Sequence, residues 1–265
     1  MPLAPISTGD LLWKVETGVG YATLNRPQAR NALTFEMYDR LANICDSVPL
    51  DGSIRCIVVS GAGGKAFGAG TDISQFKAFK GPDDGLDYER KMSIRIAKIE
   101  GCKVPVIAAI SGACTGGGAA IAACADIRIA TADMRFGFPI AKTLGNCLSS
   151  GSLQKMVSLV GPSRVTEMIF SARLFGAEEA KAIGLISEIV SDYDAVMARA
   201  KEMASNIADL APITLRVTKE MLRRLRTSGA KTPDDDLVAQ AYGSQDFREG
   251  LTAFLEKRKP QWTGK

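Results

Sequence analysis

The chain has 265 residues, of which 46% are hydrophobic and 23% charged, and a formal net charge of +4. These proportions exclude a disordered chain and allow a substantial core, while the charge is spread rather than clustered, which argues against a nucleic-acid-binding stripe and permits a phosphate-bearing small ligand. There is no histidine, so Ser-His-Asp and Cys-His relays, histidine-ligated zinc and imidazole acid–base catalysis are all excluded.

The N-terminus, Met1-Pro2-Leu3-Ala4-Pro5, lacks the basic and apolar regions of a secretory signal, and the apolar runs are short. We therefore expect a soluble cytoplasmic protein with no membrane span. Residues 11–24 read as a hairpin turning near Gly18 and Gly20. Next, 35–48 places Phe35, Tyr38, Leu41, Ala42, Cys45 and Val48 on one helical face, with Thr34 as N-cap. Strands are expected at 54–60, 106–110 and 126–130, the last two separated by a glycine-rich turn and an Ala-rich helix. This alternation predicts an α/β fold with a largely parallel sheet. Helices are expected at 153–160, 164–170, 177–183, 193–207 and 213–227, punctuated by Pro162, Gly176, Gly184, Pro212 and Pro233. A final segment, 245–259, carries Phe247, Leu251, Phe254 and Leu255 on one side and charges on the other, the pattern of a helix that packs on a neighbour. The division between a core (1–195) and a helical C-terminal region (196–265) is placed near residue 195. Six cysteines, Cys45, Cys56, Cys102, Cys114, Cys124 and Cys147, show neither zinc-site spacing nor disulfide density, so reduced thiols are expected.

Two loops carry the functional signal. Gly61 to Ile73 follows the 54–60 strand and precedes a short helix; Ser111 to Ala120 follows the 106–110 strand and opens the Ala-rich helix. Glycine lets backbone approach a ligand, and N–H groups at a helix start have no intrahelical partner, so they can donate to an anion or a developing oxyanion. One such loop is more often merely a tight turn where helix packs on strand; two matched loops weaken that reading. Neither carries the Gly-x-x-x-x-Gly-Lys-Ser/Thr phosphate motif or the dinucleotide spacing with its acid, which disfavours nucleotide hydrolysis and hydride transfer.

At these residues the chain resembles the enoyl-CoA hydratase/isomerase (crotonase) superfamily. The resemblance rests on Leu24 to Leu33 (LNRPQARNAL), Phe67 to Ile73 (FGAGTDI), Gly116-Gly117-Gly118, Ala182 to Ile186 (AIGLI) and Glu249 to Arg258 (EGLTAFLEKR). It implies a spiral of β-β-α turns with a helical C-terminal region, assembled as a homotrimer or a dimer of trimers. It also implies an acyl-CoA substrate, no metal and no cofactor beyond the substrate's own coenzyme A. By position, the backbone N–H groups of Thr71 and Gly117 would form the oxyanion hole. Arg26, Ala29, Ala69, Asp72 and Ile73 would hold coenzyme A, with Phe254 and Lys257 reaching a neighbouring subunit's adenine end; packing of an amphipathic helix explains Phe254 equally well.

The sequence departs from the family's hydratases at both catalytic glutamates. In the Gly-Gly-Gly-x-Glu pattern the glutamate position is Ala120, and after the intact Phe136-Gly137-Phe138-Pro139 it is Ile140. Neither side chain transfers protons, so two-glutamate hydration is not expected. Candidate replacements lie in 142–150. Ser149 aligns with the aspartate nucleophile of a related dehalogenase but is weak without histidine. Cys147 is more nucleophilic, although a buried packing cysteine is the commoner case. Asp72 is expected to orient its loop or cap the following helix. The alternatives left open are a thioester hydrolase or an isomerase using another residue, a non-catalytic acyl-CoA binder, or, least favoured, a scaffolding subunit.

Overall fold

The computed structural model describes residues 4–228, 233 and 235–265. The hairpin β1 (Leu11–Glu16) and β2 (Val19–Leu24) turns at Thr17-Gly18, both with positive φ, and Gly20 lies inside β2. Thr34 caps α1 (Phe35–Asp46), its hydroxyl accepting from the Met37 N–H at 3.2 Å. The chain continues through β3 (Cys56–Gly61), β4 (Ala66–Gly68), α2 (Pro82–Glu100), β5 (Val106–Ile110), β6 (Ala113–Thr115), α3 (Gly117–Cys124), β7 (Ile127–Thr131) and β8 (Arg135–Gly137). It ends with α4 (Ser150–Phe170), β9 (Phe175–Gly176), α5 (Ala177–Ala182), β10 (Glu188–Val190), α6 (Tyr193–Ala208), α7 (Pro212–Ser228), α8 (Asp235–Tyr242) and α9 (Gln245–Glu256).

Two sheets result, in the orders β1-β2-β3-β5-β7-β10 and β4-β6-β8-β9. Three successive turns, β3-β4-α2, β5-β6-α3 and β7-β8-α4, each lay one strand on each sheet and return through a helix. This is the expected β-β-α spiral. The larger sheet is parallel from β2 onward and buried on both faces. Period-two alternation divides its side chains between two cores: Ile57, Val59, Val106 and Ala108 face the core shared with α1 and α3, whereas Cys56, Val58, Ile107 and Ala109 meet Val196, Ala200 and Ala204 of α6.

Three expectations change. The helices expected at 153–160 and 164–170 are two arms of α4, broken at Gly161 (φ 78°, ψ 161°) before Pro162. The boundary near residue 195 falls inside α6, whose apolar face covers the large sheet, so the sheet unit extends through Ala208. The first glycine loop leads not only to a short 3-10 turn (Ile73–Phe76) but on to the 19-residue α2.

A largely buried ion cluster ties α2 to α4 and α7. The Glu100 carboxylate accepts from Lys155 Nζ at 2.7 Å and from the Arg226 guanidinium. Burial pushes the Glu100 carboxyl upward, but the two cations outweigh it and hold its pKa below the usual range. A depressed folded-state pKa gives stability that is complete above the unfolded-state value and is lost as pH falls through the folded one. Glu100→Gln should therefore lower the unfolding free energy by about 3 kcal/mol at neutral pH. Urea unfolding should show that deficit shrinking in acid; an equal deficit at every pH would show that packing, not charge, is responsible.

Candidate active site

Parallel pairing of β4 with β6 (Ala66 with Ala113, Gly68 with Cys114) sets the two glycine loops side by side as they leave the small sheet. Beyond the strands, a β-carbon on Gly116 would lie 3.4 Å from the Gly70 Cα. The Leu33 N–H donates to the Gly70 carbonyl and the Asp72 N–H to the Leu33 carbonyl, both at 2.8 Å. In that parallel pattern the N–H of the intervening Thr71 points away from Leu33. Gly117 is the first residue of α3, where an N–H has no intrahelical acceptor. Among the described hydrogen bonds, neither of these two N–H groups has a loop carbonyl as partner.

Tyr38, from the buried face of α1, locks this junction. Its hydroxyl lies 2.9 Å from Thr71 Oγ1, and a β-carbon on Gly117 would come within 1.8 Å of it. Residue 117 must therefore be glycine. Burial pushes the Tyr38 hydroxyl far above the usual tyrosine range, so it stays protonated. Tyr88 of α2 approaches the same Thr71 Oγ1 at 3.5 Å, and burial pushes its pKa up as well.

Beside the junction is a cavity of about 200 Å³. Of the residues singled out from the sequence, Ala69, Thr71, Ile73, Gly117, Ala120, Ile140 and Cys147 line it. Both positions where the hydratase pattern has glutamate thus present hydrocarbon to the cavity. Arg26 and Asp72 lie behind the wall: the Arg26 Nη1 donates to Asp72 Oδ2 at 2.8 Å and to the Ala32 carbonyl at 2.7 Å. Asp72 also caps the following 3-10 turn, accepting from the Ser74 N–H at 3.0 Å. The Ser74 hydrogen bonds and Arg26 together hold its carboxyl below the usual range. Ala29 sits in the 3-10 turn Pro27–Ala29, also outside the cavity wall.

Ser149 is not in the wall. It is the N-cap of α4, accepting from the Ser152 N–H at 3.4 Å, and Ser152 lines the cavity instead. The packing expectation for Cys147 is corrected: it is exposed, whereas the other five cysteines are buried. It lies in the irregular 142–149 segment at the cavity, so no core encloses it. Phe254 and Lys257 do not line the cavity. Phe254 is 81% exposed on α9, so packing within this chain does not explain it.

The sequence reading missed Glu89. Tyr88, Glu89, Met92 and Ile96 form the face of α2 that lines the cavity. Glu89 is the one carboxylate in that lining among the described residues, half-buried and without an ion pair or hydrogen-bond partner among them. Burial alone pushes its pKa above the usual carboxylate value. The only sequence signal was the Tyr88, Met92, Ile96 spacing with an acid beside it. No histidine, cysteine and carboxylate group able to hold a metal occurs among the described residues, and no described helix is long and apolar enough to cross a membrane.

A family model described as enoyl-CoA hydratase/isomerase matches residues 14–265. The chain belongs to the enoyl-CoA hydratase/isomerase family. It is 32% identical to the short-chain-enoyl-CoA hydratase of Clostridium acetobutylicum, over 94% of this chain and 96% of that protein. Its fold superposes on the crystal structure of an enoyl-CoA hydratase/carnithine racemase from Magnetospirillum magneticum with a TM-score of 0.88 at 33% identity, covering 98% and 97% of the two chains. It superposes on the enoyl-CoA hydratase of Bacillus anthracis with a TM-score of 0.85 at 28% identity, covering 97% and 100%. The family match thus takes in both glycine loops and the C-terminal helices of this member.

Proposed function

We propose that this family member is an acyl-CoA enzyme that polarises the thioester carbonyl between the backbone N–H groups of Thr71 and Gly117. The observation that carries the reading is the convergence of the two loops on one cavity, with both N–H groups lacking a loop acceptor. Two donors aimed at a developing oxyanion stabilise it by roughly 3 kcal/mol each, because they are fixed before charge develops. The Arg26–Asp72 pair supports the loop from outside the cavity, and in this reading the pair, with Ala29, Ala69 and Ile73, would hold coenzyme A. The exposed Phe254 and Lys257 would complete the adenine end for a neighbouring protomer of a trimer or paired trimers. No metal or further cofactor is required, and a cytoplasmic setting suits reduced cysteines.

Calorimetric titration with a panel of CoA thioesters and free CoA should show thioester binding. No binding by any member at millimolar concentration would sink this reading. Crotonyl-CoA hydration should be absent or very slow, because Ala120 and Ile140 leave water without its pair of carboxylates. Ordinary hydratase turnover by the purified protein would overturn that second expectation while leaving the binding site intact.

A further inference from the structure

We propose that Glu89 is the catalytic proton carrier of this site, and that it moves a proton between carbons of a β,γ-unsaturated acyl-CoA. The inference rests on the acyl-CoA reading above and goes beyond it by assigning the proton transfer to Glu89; the reaction is the isomerase side of the family.

Three observations lead to Glu89. It lines the same cavity as Thr71 and Gly117 and, among the described residues, no other carboxylate does. Its helix turn is held in place: the adjacent Tyr88 packs its ring at 5.0 Å from Phe76 and 5.7 Å from Phe35, and its hydroxyl lies 3.5 Å from the Thr71 side chain. Glu89 itself is left unpaired among the described residues, so neither a cation nor a donor there neutralises it. A carboxylate fixed in a half-buried apolar wall, free to take up and release a proton, suits general acid–base work. Burial raises its pKa above the usual carboxylate value, the direction that favours proton uptake.

The rest of the wall selects the reaction. Phe76, Met92, Ile96, Ile140, Leu144 and Leu148 make the cavity apolar, and it has one carboxylate rather than two. Hydration needs a water held and deprotonated on one side and a proton delivered on the other. An allylic shift needs a single base and no water. Glu89 takes the proton from Cα; the C–H electron pair moves toward the thioester carbonyl, giving a dienolate whose oxygen is held by the Thr71 and Gly117 N–H groups. The protonated Glu89 then returns its proton to Cγ as the electrons flow back, leaving the double bond between Cα and Cβ. Atoms and electrons balance, with no oxidant, reductant or water consumed.

The test uses 3-hexenoyl-CoA with the wild-type chain, Glu89→Gln and Glu89→Asp. Conversion is read from the conjugated-thioester absorbance, deuterium uptake at Cα and Cγ in D2O by NMR, free CoA by thiol titration, and binding by calorimetry. Thermal unfolding checks that each variant is folded. The wild type should form 2-hexenoyl-CoA. Glu89→Gln should lose about a hundredfold in kcat with KM and thioester affinity changed by less than about threefold, and should lose deuterium uptake with it. Glu89→Asp should recover part of the rate. Wild-type kcat in Glu89→Gln would overturn the proposal, as would binding without conversion, or free CoA or a hydroxyacyl product as the main outcome. Each of these leaves acyl-CoA binding standing, whereas absence of binding by the wild type would remove both readings.

Discussion

Gly117→Ala should abolish most of the catalytic capacity of the site, lowering turnover of its thioester substrate by roughly a thousandfold, the upper range for loss of an oxyanion donor. The new methyl carbon would lie 1.8 Å from the Tyr38 hydroxyl and 3.1 Å from Thr71 Oγ1. Both clashing groups belong to the junction behind the two proposed N–H donors, and Tyr38 is fully buried, so relief of the overlap is expected to shift the Gly117 or Thr71 backbone. Tyr38→Phe removes the 1.8 Å overlap and leaves the ring carbon at 3.1 Å, a contact that a shift of a few tenths of an ångström relieves. The double variant should therefore regain at least about tenfold over Gly117→Ala, an energetic coupling of more than about 1.4 kcal/mol. Steady-state kinetics on the four proteins of the cycle decide the matter. Unchanged kinetics in Gly117→Ala, or strict additivity in the double variant, would show that the Tyr38 contact does not position the donors.

Gly118→Ala should act on the fold itself, costing about 3 kcal/mol or more. Here the added carbon would meet backbone: 2.1 Å from the Gly68 carbonyl oxygen and 2.9 Å from the Gly68 Cα. No rotamer change clears those atoms, so α3 would have to move away from β4, separating the two loops as well as loosening the core. Gly151→Ala is the control, since a β-carbon there meets nothing within 4 Å inside α4. That substitution should be neutral or stabilise by up to about 1 kcal/mol, the ordinary Gly-to-Ala effect in a helix. Chemical denaturation of both variants separates the cases. A Gly118→Ala protein as stable as the wild type would mean that the α3–β4 contact yields more readily than its geometry implies.

Legibility in the sequence followed element length and patterning. The α1 stripe from Phe35 to Cys45 and the apolar runs of β3 and β5 announce themselves, because burial on one helical face or both sheet faces demands those residues over many positions. The smaller sheet could not be read locally. Its strands, β4, β6, β8 and β9, are two or three residues long, too short to show alternation; β4, β6 and β8 each follow a longer strand around a spiral turn, and β9 returns from α4 to pair with β8. The α2 helix was missed because its apolar stripe of Tyr88, Met92, Ile96 and Ile99 is narrow and its first turns carry Asp83, Asp84, Asp87 and Gly85 instead of apolar residues.

By itself the sequence determined the family, the α/β character, the two glycine loops and the presence of Ala120 and Ile140 where the resemblance implies glutamates, since each is a matter of residue type at a stated spacing. Tertiary structure decided what shares the cavity. Tyr38 and Glu89 come from helices distant in sequence from the loops they face; only strand pairing and helix packing bring Tyr38 onto Gly117 and Glu89 into the same wall. It likewise decided that Ser149 caps a helix while Cys147 stands exposed, because partners and solvent, not residue identity, determine whether a hydroxyl or thiol is free.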